Sequence, residues 1–120
     1  MIDHFGFAVG DFAKSRAFYA AALGALGLVV VNEGKNWAAL GQPGGRNEFW
    51  IGTYGAPPGP IHIAFAASSR EAVDAFHREA LAAGGKDNGP PGIRANYSAD
   101  YYAAFVIDPD GHNIEAVRRG

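Results

Sequence analysis

Cysteine is absent from this sequence. The chain therefore has no disulfide bond, no thiolate nucleophile and no metal site built on thiolates. An excess of one charge is also missing, because 10 Lys and Arg residues are set against 12 Asp and Glu residues and leave a formal net charge of -2. A weakly acidic chain is poorly suited to nucleic acid or an anionic membrane surface, so we expect neither as a partner.

Long apolar runs are missing as well, so the sequence predicts no transmembrane helix. Its opening residues, Met1 to His4, predict the start of a strand and not a signal peptide. We expect a cytoplasmic protein of one domain, residues 1–120. Glycine is abundant, with 17 residues, and together with 7 prolines it separates short apolar runs. This pattern predicts many short strands joined by tight turns.

A β-hairpin is predicted near the end of the chain, and it places a carboxylate on a strand. Residues 108–111 have Asp first, Pro second and Gly fourth, which is the signature of a type I turn. The strand that follows carries Glu115 between Ile114 and Ala116. A carboxylate on a partly buried strand needs a partner charge, a metal or a raised pKa. An ion pair with Arg118 or Arg46 is the structural alternative.

The chain also repeats itself at one constant offset. The repeat aligns His4 with His62, Phe7 with Phe65, Phe18 with Phe76, Leu23 with Leu81 and Gly27 with Gly85. Each half reads as a strand, a helix and about three more strands, which indicates an internal duplication. We predict a first module over residues 1–55 and a second over residues 61–120, joined by a Pro- and Gly-rich linker over residues 54–60.

Helix start signals support this division. Asp11 is a predicted N-cap for a helix over residues 12–25, and Ser68 with Glu71 forms a predicted capping box for the second helix. Strands are predicted over residues 2–9, 28–32, 36–41, 48–53 and 102–117, the last containing the hairpin.

The duplication gives the buried carboxylate a set of candidate partners. His4 and His62 lie in the first strands of their halves, whereas Glu48 and Glu115 lie in the last. A sheet that pairs its first and last strands would bring one His and one Glu of each half together. Two imidazoles with one or two carboxylates suit a divalent first-row metal.

Three stretches of the sequence, His4–Tyr19, His62–Ala66 and Asp108–Glu115, together resemble the glyoxalase/bleomycin-resistance/extradiol-dioxygenase group, the vicinal oxygen chelate superfamily. The resemblance covers essentially the whole chain. It implies an α+β fold of two βαβββ modules, whose mixed or antiparallel sheets form an open cup with the helices outside. It also implies a homodimer.

The resemblance further implies a metal site. His4, His62 and Glu115 match the positions that hold the metal in many members, and Glu48 is the nearest match to a further carboxylate of glyoxalase I enzymes. The metal would be Zn, Ni, Mn, Co or Fe. Our leading hypothesis is a lyase- or isomerase-type enzyme in which the metal chelates two substrate oxygens and stabilises an enediolate or oxyanion. Glu115 or Glu48 would then move the proton.

The second half is longer than the first, and its extra residues fit the Gly- and Pro-rich stretch 89–102. A long loop beside a cup is typical of a substrate-facing element. We predict substrate contacts from this stretch and from the first module, namely Arg94, Tyr97, Tyr101, Tyr102 and Trp50.

Two other functions stay open. A metal-free protein could sequester an antibiotic or another small molecule in a cleft lined by Trp37, Trp50, Tyr97 and Tyr101. An extradiol-type dioxygenase is less favoured, because residues 96–102 contain no additional His for acid–base chemistry. His112 follows a turn glycine and is expected to be exposed.

Overall fold

The computed structural model describes all residues from Met1 to Gly120. Its elements run in the order predicted for a duplicated unit: β1 (Phe5–Ala8), α1 (Phe12–Gly24), β2 (Val29–Glu33), β3 (Trp37–Gly41), β4 (Phe49–Gly52), β5 (His62–Ala66), α2 (Arg70–Ala82), β6 (Lys86–Ile93), β7 (Tyr101–Ile107) and β8 (Asn113–Arg119). Neither helix is long and apolar enough to cross a membrane.

Each module forms its own four-stranded mixed sheet. The strand orders are β1-β4-β3-β2 and β5-β8-β7-β6, so the first strand of each module pairs with its last. These two pairs are parallel, whereas the other neighbours are antiparallel. The predicted fold, two βαβββ modules of the α+β class, is confirmed.

One helix packs on one face of each sheet. Tyr19 of α1 contacts the rings of Phe7 and Phe49, and α2 packs on β7 with Val73 and Phe76 fully buried. The two helices also contact each other, so a single apolar core of 18 residues spans both modules. We call the face of each sheet that points away from its helix the open face.

The predicted N-cap is correct for α1 and is one residue off for α2. Asp11 caps α1 as predicted, because its side chain accepts from the backbone N–H of Lys14 at 3.1 Å. The cap of α2 is Ser69 and not Ser68. Ser69 has an extended backbone, and its hydroxyl accepts from the N–H of Ala72 at 3.1 Å. The prediction was one residue early, since adjacent serines offer the same cap chemistry.

The prediction of a long loop over residues 89–102 is wrong for residues 89–93. Residues up to Ile93 belong to β6, which pairs with β7 through two register shifts. The strand tolerates Pro90 and Pro91 because it lies at the edge of its sheet, where missing N–H donors cost no ladder bond. Gly89, at a φ of 148°, supplies the backbone conformation that one of the bulges needs.

The turn between β7 and β8 is hydrogen-bonded to the first module. Its first residue, Asp108, is buried and accepts the hydroxyl of Tyr19 in α1. The other carboxylate oxygen of Asp108 accepts the N–H groups of Asp110 at 2.9 Å and His112 at 2.8 Å. Asp110 in turn accepts from the N–H of Gly10 at 3.2 Å.

The prediction that His112 is exposed was wrong. Its side chain is fully buried and lies edge-on to the ring of Phe7, with centroids 5.1 Å apart. Nδ1 accepts the N–H of Ile61 at 3.1 Å, which ties the start of β5 to the turn. A position after a turn glycine is usually solvated, but here the first module covers the turn.

We expect Tyr19→Phe to lower the free energy of unfolding by about 1–3 kcal/mol, because it leaves one oxygen of the buried Asp108 without a donor. Burial, followed by the charge of Asp108, raises the pKa of Tyr19 far above its usual range, so the hydroxyl remains a donor at neutral pH. Urea unfolding measures the change, and Tyr54→Phe, at an exposed tyrosine, is the control. Equal stability of the two variants would contradict a stabilising role of the hydrogen bond between Tyr19 and Asp108.

Candidate functional site

The open face of the second sheet brings together His62, Glu115 and Tyr101. His62 begins β5, and its Nε2 lies 3.0 Å from Oε1 of Glu115 on the neighbouring strand β8. Glu115 is only 2% exposed, while the His62 side chain is 49% exposed. The hydroxyl of Tyr101, on β7, donates to the other carboxylate oxygen of Glu115. The predicted pairing of first and last strands therefore joins His62 to Glu115.

The hydrogen bond at Nδ1 of His62 determines the tautomer of the neutral ring, and so whether Nε2 carries a proton or a lone pair. Nδ1 lies 2.9 Å from the carbonyl oxygen of Asn113, which can only accept, so Nδ1 carries a proton. In the neutral imidazole Nε2 then presents a lone pair toward Oε1 of Glu115. Two lone pairs at 3.0 Å repel each other unless a cation, either a proton or a metal ion, accompanies them.

Tyr101 is held as a hydrogen-bond donor. Burial, followed by the hydrogen bond to Glu115 and the charge of that carboxylate, raises the pKa of Tyr101 to about 12. The hydroxyl therefore keeps its proton at neutral pH. Arg119 covers the ring with its guanidinium carbon 4.9 Å from the centroid, and the ring of Tyr97 stands edge-on at 4.9 Å.

No hydrogen bond or ion pair joins His4 to His62 or Glu115. His4 precedes β1 and lines a depression on the open face of the first sheet, together with Gly6, Trp50 and Tyr54. Its Nδ1 lies 2.9 Å from Asp3, and this hydrogen bond, followed by the charge of Arg46, lowers the pKa of Asp3.

Glu48 is half-buried just before β4, and its carboxylate has no hydrogen-bond or ion-pair partner in the chain. It shares with His62 a depression of about 640 Å³ at the seam between the modules. Even so, no three His, Asp or Glu side chains cluster closely enough in one chain to hold a metal ion. Of the four predicted ligands, His62 and Glu115 are in contact, Glu48 lines the same depression as His62, and His4 lines a different one.

Aromatic side chains dominate the open face of the first sheet. The rings of Trp37 and Trp50 stack with centroids 5.7 Å apart and planes 20° apart, and Tyr54 completes a pocket of about 510 Å³. Trp50 is 37% exposed. A Cβ on Gly6 would lie 2.6 Å from the Cβ of Trp50, so the glycine lets β1 approach β4 beneath the tryptophan. We call Trp37, Trp50 and Tyr54 the aromatic shelf.

Arg94 lies on the same open face as Glu115. Its guanidinium donates to the carbonyl oxygens of Gly92 at 2.9 Å and Pro90 at 2.7 Å, and it lies 5.3 Å from the centroid of the Phe105 ring. Phe105 is the cross-strand neighbour of Glu115. No carboxylate of the chain forms an ion pair with Arg94.

Tyr102 is not brought to this site. Strand side chains alternate, so Tyr102 points to the opposite face from Tyr101, where its hydroxyl donates to Asp74 of α2 at 2.6 Å. Sequence reasoning also missed Asn113, Phe105 and Arg119 as neighbours of the site. The two-residue period would have placed Phe105 on the face of Glu115 once the hairpin register was known.

The chain matches the family model of the Glyoxalase/Bleomycin resistance protein/Dioxygenase superfamily over residues 1–116. Its fold resembles a crystal structure of a glyoxalase/bleomycin resistance protein from Albidiferax ferrireducens T118, with 35% identity, a TM-score of 0.85 and coverage of 99% of both chains. A comparison with curated proteins gave no significant match.

Two less similar structures share the fold alone. A family enzyme from Burkholderia phytofirmans PsJN has 16% identity and a TM-score of 0.74, with 98% of each chain covered. A glyoxalase I mutant from Zea mays has 20% identity and a TM-score of 0.70; the match covers 99% of this chain and 44% of the maize chain.

We expect Gly6→Ala to destabilise the protein by about 1–3 kcal/mol and to change its tryptophan fluorescence, because the added methyl group collides with Trp50. The matched control is Gly24→Ala, where a Cβ meets nothing within 4 Å and helix propensity favours alanine. Thermal unfolding and emission spectra test both variants. If Gly6→Ala leaves stability and emission unchanged, the close packing under the shelf is contradicted.

Proposed function

The chain belongs to the Glyoxalase/Bleomycin resistance protein/Dioxygenase superfamily, and from that premise we propose that it is a small metal-dependent enzyme of the lyase or isomerase type. The observation that carries the proposal is the contact of His62 Nε2 with a buried carboxylate oxygen of Glu115 at 3.0 Å. A lone pair and a carboxylate directed at each other are the donor chemistry of a divalent metal ion.

The donor set fits such a metal in type but is incomplete within one chain. Asn113 fixes the tautomer of His62 and Tyr101 fixes Glu115, and outer-shell partners of this kind accompany metal ligands. Two ligands are too few, because zinc sites in enzymes use three protein ligands. The remaining predicted donors, His4 and Glu48, do not complete the set within one chain.

We propose that a second copy of the chain supplies them. In a two-fold dimer the open face of the first sheet in one protomer would cover the open face of the second sheet in its partner. Two sites would then form, each with His62 and Glu115 from one protomer and His4 and Glu48 from the other. The contacts that hold His4 now, to Asp3 and through it to Arg46, are solvent-exposed and weak enough to rearrange.

In this site the metal, when bound, would act as a Lewis acid on two neighbouring oxygens of the substrate. Of the two carboxylates, Glu48 is the better general base, because it has no partner in the chain while Glu115 is engaged by Tyr101 and His62. Burial of Glu115 excludes water from one side of the site.

Arg94 supports a proposal for the substrate class. Its guanidinium is fixed by two backbone carbonyls, stacks on Phe105 and lacks a carboxylate partner. A preorganised, uncompensated cation one ring away from the His62–Glu115 pair favours a substrate that carries an anionic group, such as a carboxylate, away from its reacting oxygens.

The aromatic shelf supports a second candidate function. A stacked Trp pair that borders open solvent can bind a planar molecule without any metal. In this function the protein sequesters its ligand, and the His62–Glu115 pair is an ordinary ion pair.

We expect the purified parent protein to bind zinc, nickel, cobalt, manganese or iron, and expect His62→Ala, Glu115→Ala and His4→Ala each to lose most of that metal. Elemental analysis after loading and desalting measures it. The control is His77→Ala, since His77 pairs with Asp87 away from the site. A parent that takes up none of these ions would refute the metal-dependent enzyme. Quenching of tryptophan emission by planar ligands would then support sequestration.

The same variants test the shared site. Neither His4→Ala nor His62→Ala has a complete ligand set, but co-expression yields heterodimers in which one of the two sites is intact. Metal should therefore reappear in the mixed preparation. If both variants bind no metal separately and none after mixing, the site is not shared between copies.

We expect the metal-loaded protein to prefer dicarboxylates over monocarboxylates, because the second carboxylate reaches Arg94. Calorimetry with malonate, succinate, glutarate and adipate, each against the monocarboxylate of equal length, finds the best span. At that span Arg94→Met should lose about tenfold or more of the preference, as expected for a charge-assisted hydrogen bond. Arg78→Met, on the exposed surface of α2, should retain it. An Arg94→Met protein that keeps the preference would exclude this anion site.

A further inference from the structure

We infer that Tyr101 is a positioning residue that fixes the carboxylate of Glu115 for metal binding, and not a substrate contact. The inference rests on the proposed metal function. It differs from the sequence-based prediction, in which the tyrosines of residues 97–102 face the substrate.

The hydroxyl of Tyr101 is already engaged. It donates to the Glu115 oxygen that points away from His62, and the Tyr101 residue is only 8% exposed. The ring is covered on one side by the guanidinium of Arg119 and at its edge by Tyr97. A side chain with its polar atom bonded inward and its ring covered has nothing left to offer a substrate.

The geometry divides the two oxygens of Glu115 between two tasks. Oε2 accepts from Tyr101, whereas Oε1 lies 3.0 Å from Nε2 of His62. A carboxylate free to rotate can bind a metal through one or both oxygens, but a hydrogen bond to one oxygen favours binding through the other. Tyr101 therefore holds Glu115 so that Oε1 and Nε2 of His62 can bind the same metal ion.

The strand arrangement explains how Tyr101 reaches Glu115 from four positions before Phe105, the register partner of that carboxylate. Tyr101 pairs with Arg119 and Phe105 pairs with Glu115, so Tyr101 lies on the same face of the sheet as Glu115 but two alternations along β7. The long reach of the phenol ring closes that distance. A shorter donor at this position, such as Ser, could not.

The test compares Tyr101→Phe with Tyr97→Phe, which removes a neighbouring hydroxyl that bonds to no carboxylate. Zinc affinity is measured by competition with a chelator. We expect Tyr101→Phe to weaken zinc binding about 10–100-fold, the usual effect of removing an outer-shell partner, and Tyr97→Phe to leave it unchanged. In a Glu115→Gln background the Tyr101→Phe substitution should have no further effect, because its action passes through the carboxylate.

A metal-free readout separates this inference from the proposed function. The ¹⁵N shifts of the His62 ring in apo protein report its contact with Glu115, and we expect them to move in Tyr101→Phe and not in Tyr97→Phe. If the parent binds no zinc but these shifts move, the positioning role stands and the metal function fails. If zinc binds and both affinity and shifts stay at parent values in Tyr101→Phe, the positioning role is refuted.

Discussion

The parallel pairing of the first strand of each module with its last is the constraint on which the rest of the structure depends. A parallel pair requires a crossover connection, and the helix within that connection covers one face of the sheet and leaves the other open. In the second module this pairing sets His62 beside β8, where Ala64 is the register partner of Glu115. In the first it sets Gly6 beside Trp50. The open faces therefore carry side chains that a core would not need.

Two buried carboxylates, Asp108 and Glu115, each accept a tyrosine hydroxyl but differ in what contacts their second oxygen. Asp108 is satisfied entirely from within, by the Tyr19 hydroxyl and two backbone N–H groups, so it stabilises the contact between modules. Glu115 also accepts a tyrosine hydroxyl, but its second oxygen lies 3.0 Å from Nε2 of His62. Asp108 therefore has a hydrogen-bond donor at each oxygen, whereas Oε1 of Glu115 faces only the imidazole of His62.

The two open faces are chemically unequal although the modules are repeats. The first presents the aromatic shelf with His4 near its edge, and the second presents the His62–Glu115 pair flanked by Arg94 and Arg119. Neither face alone holds a complete donor set. The core of each module lies on its helix-facing side, which leaves the open faces free to differ.

The fold of two βαβββ modules, a first helix over residues 12–25, the hairpin turn and the contact of His62 with Glu115 were all predictable from the sequence. These follow from short-range rules of alternation, capping and turn chemistry, together with the repeat. The three-dimensional packing was needed to show that His112 is buried, that residues 86–93 form an edge strand, that Tyr102 points to α2, and that His4 and His62 line different depressions. The reason is physical: burial and side-chain partners depend on which surface of a distant segment covers a residue, and local pattern does not encode that surface.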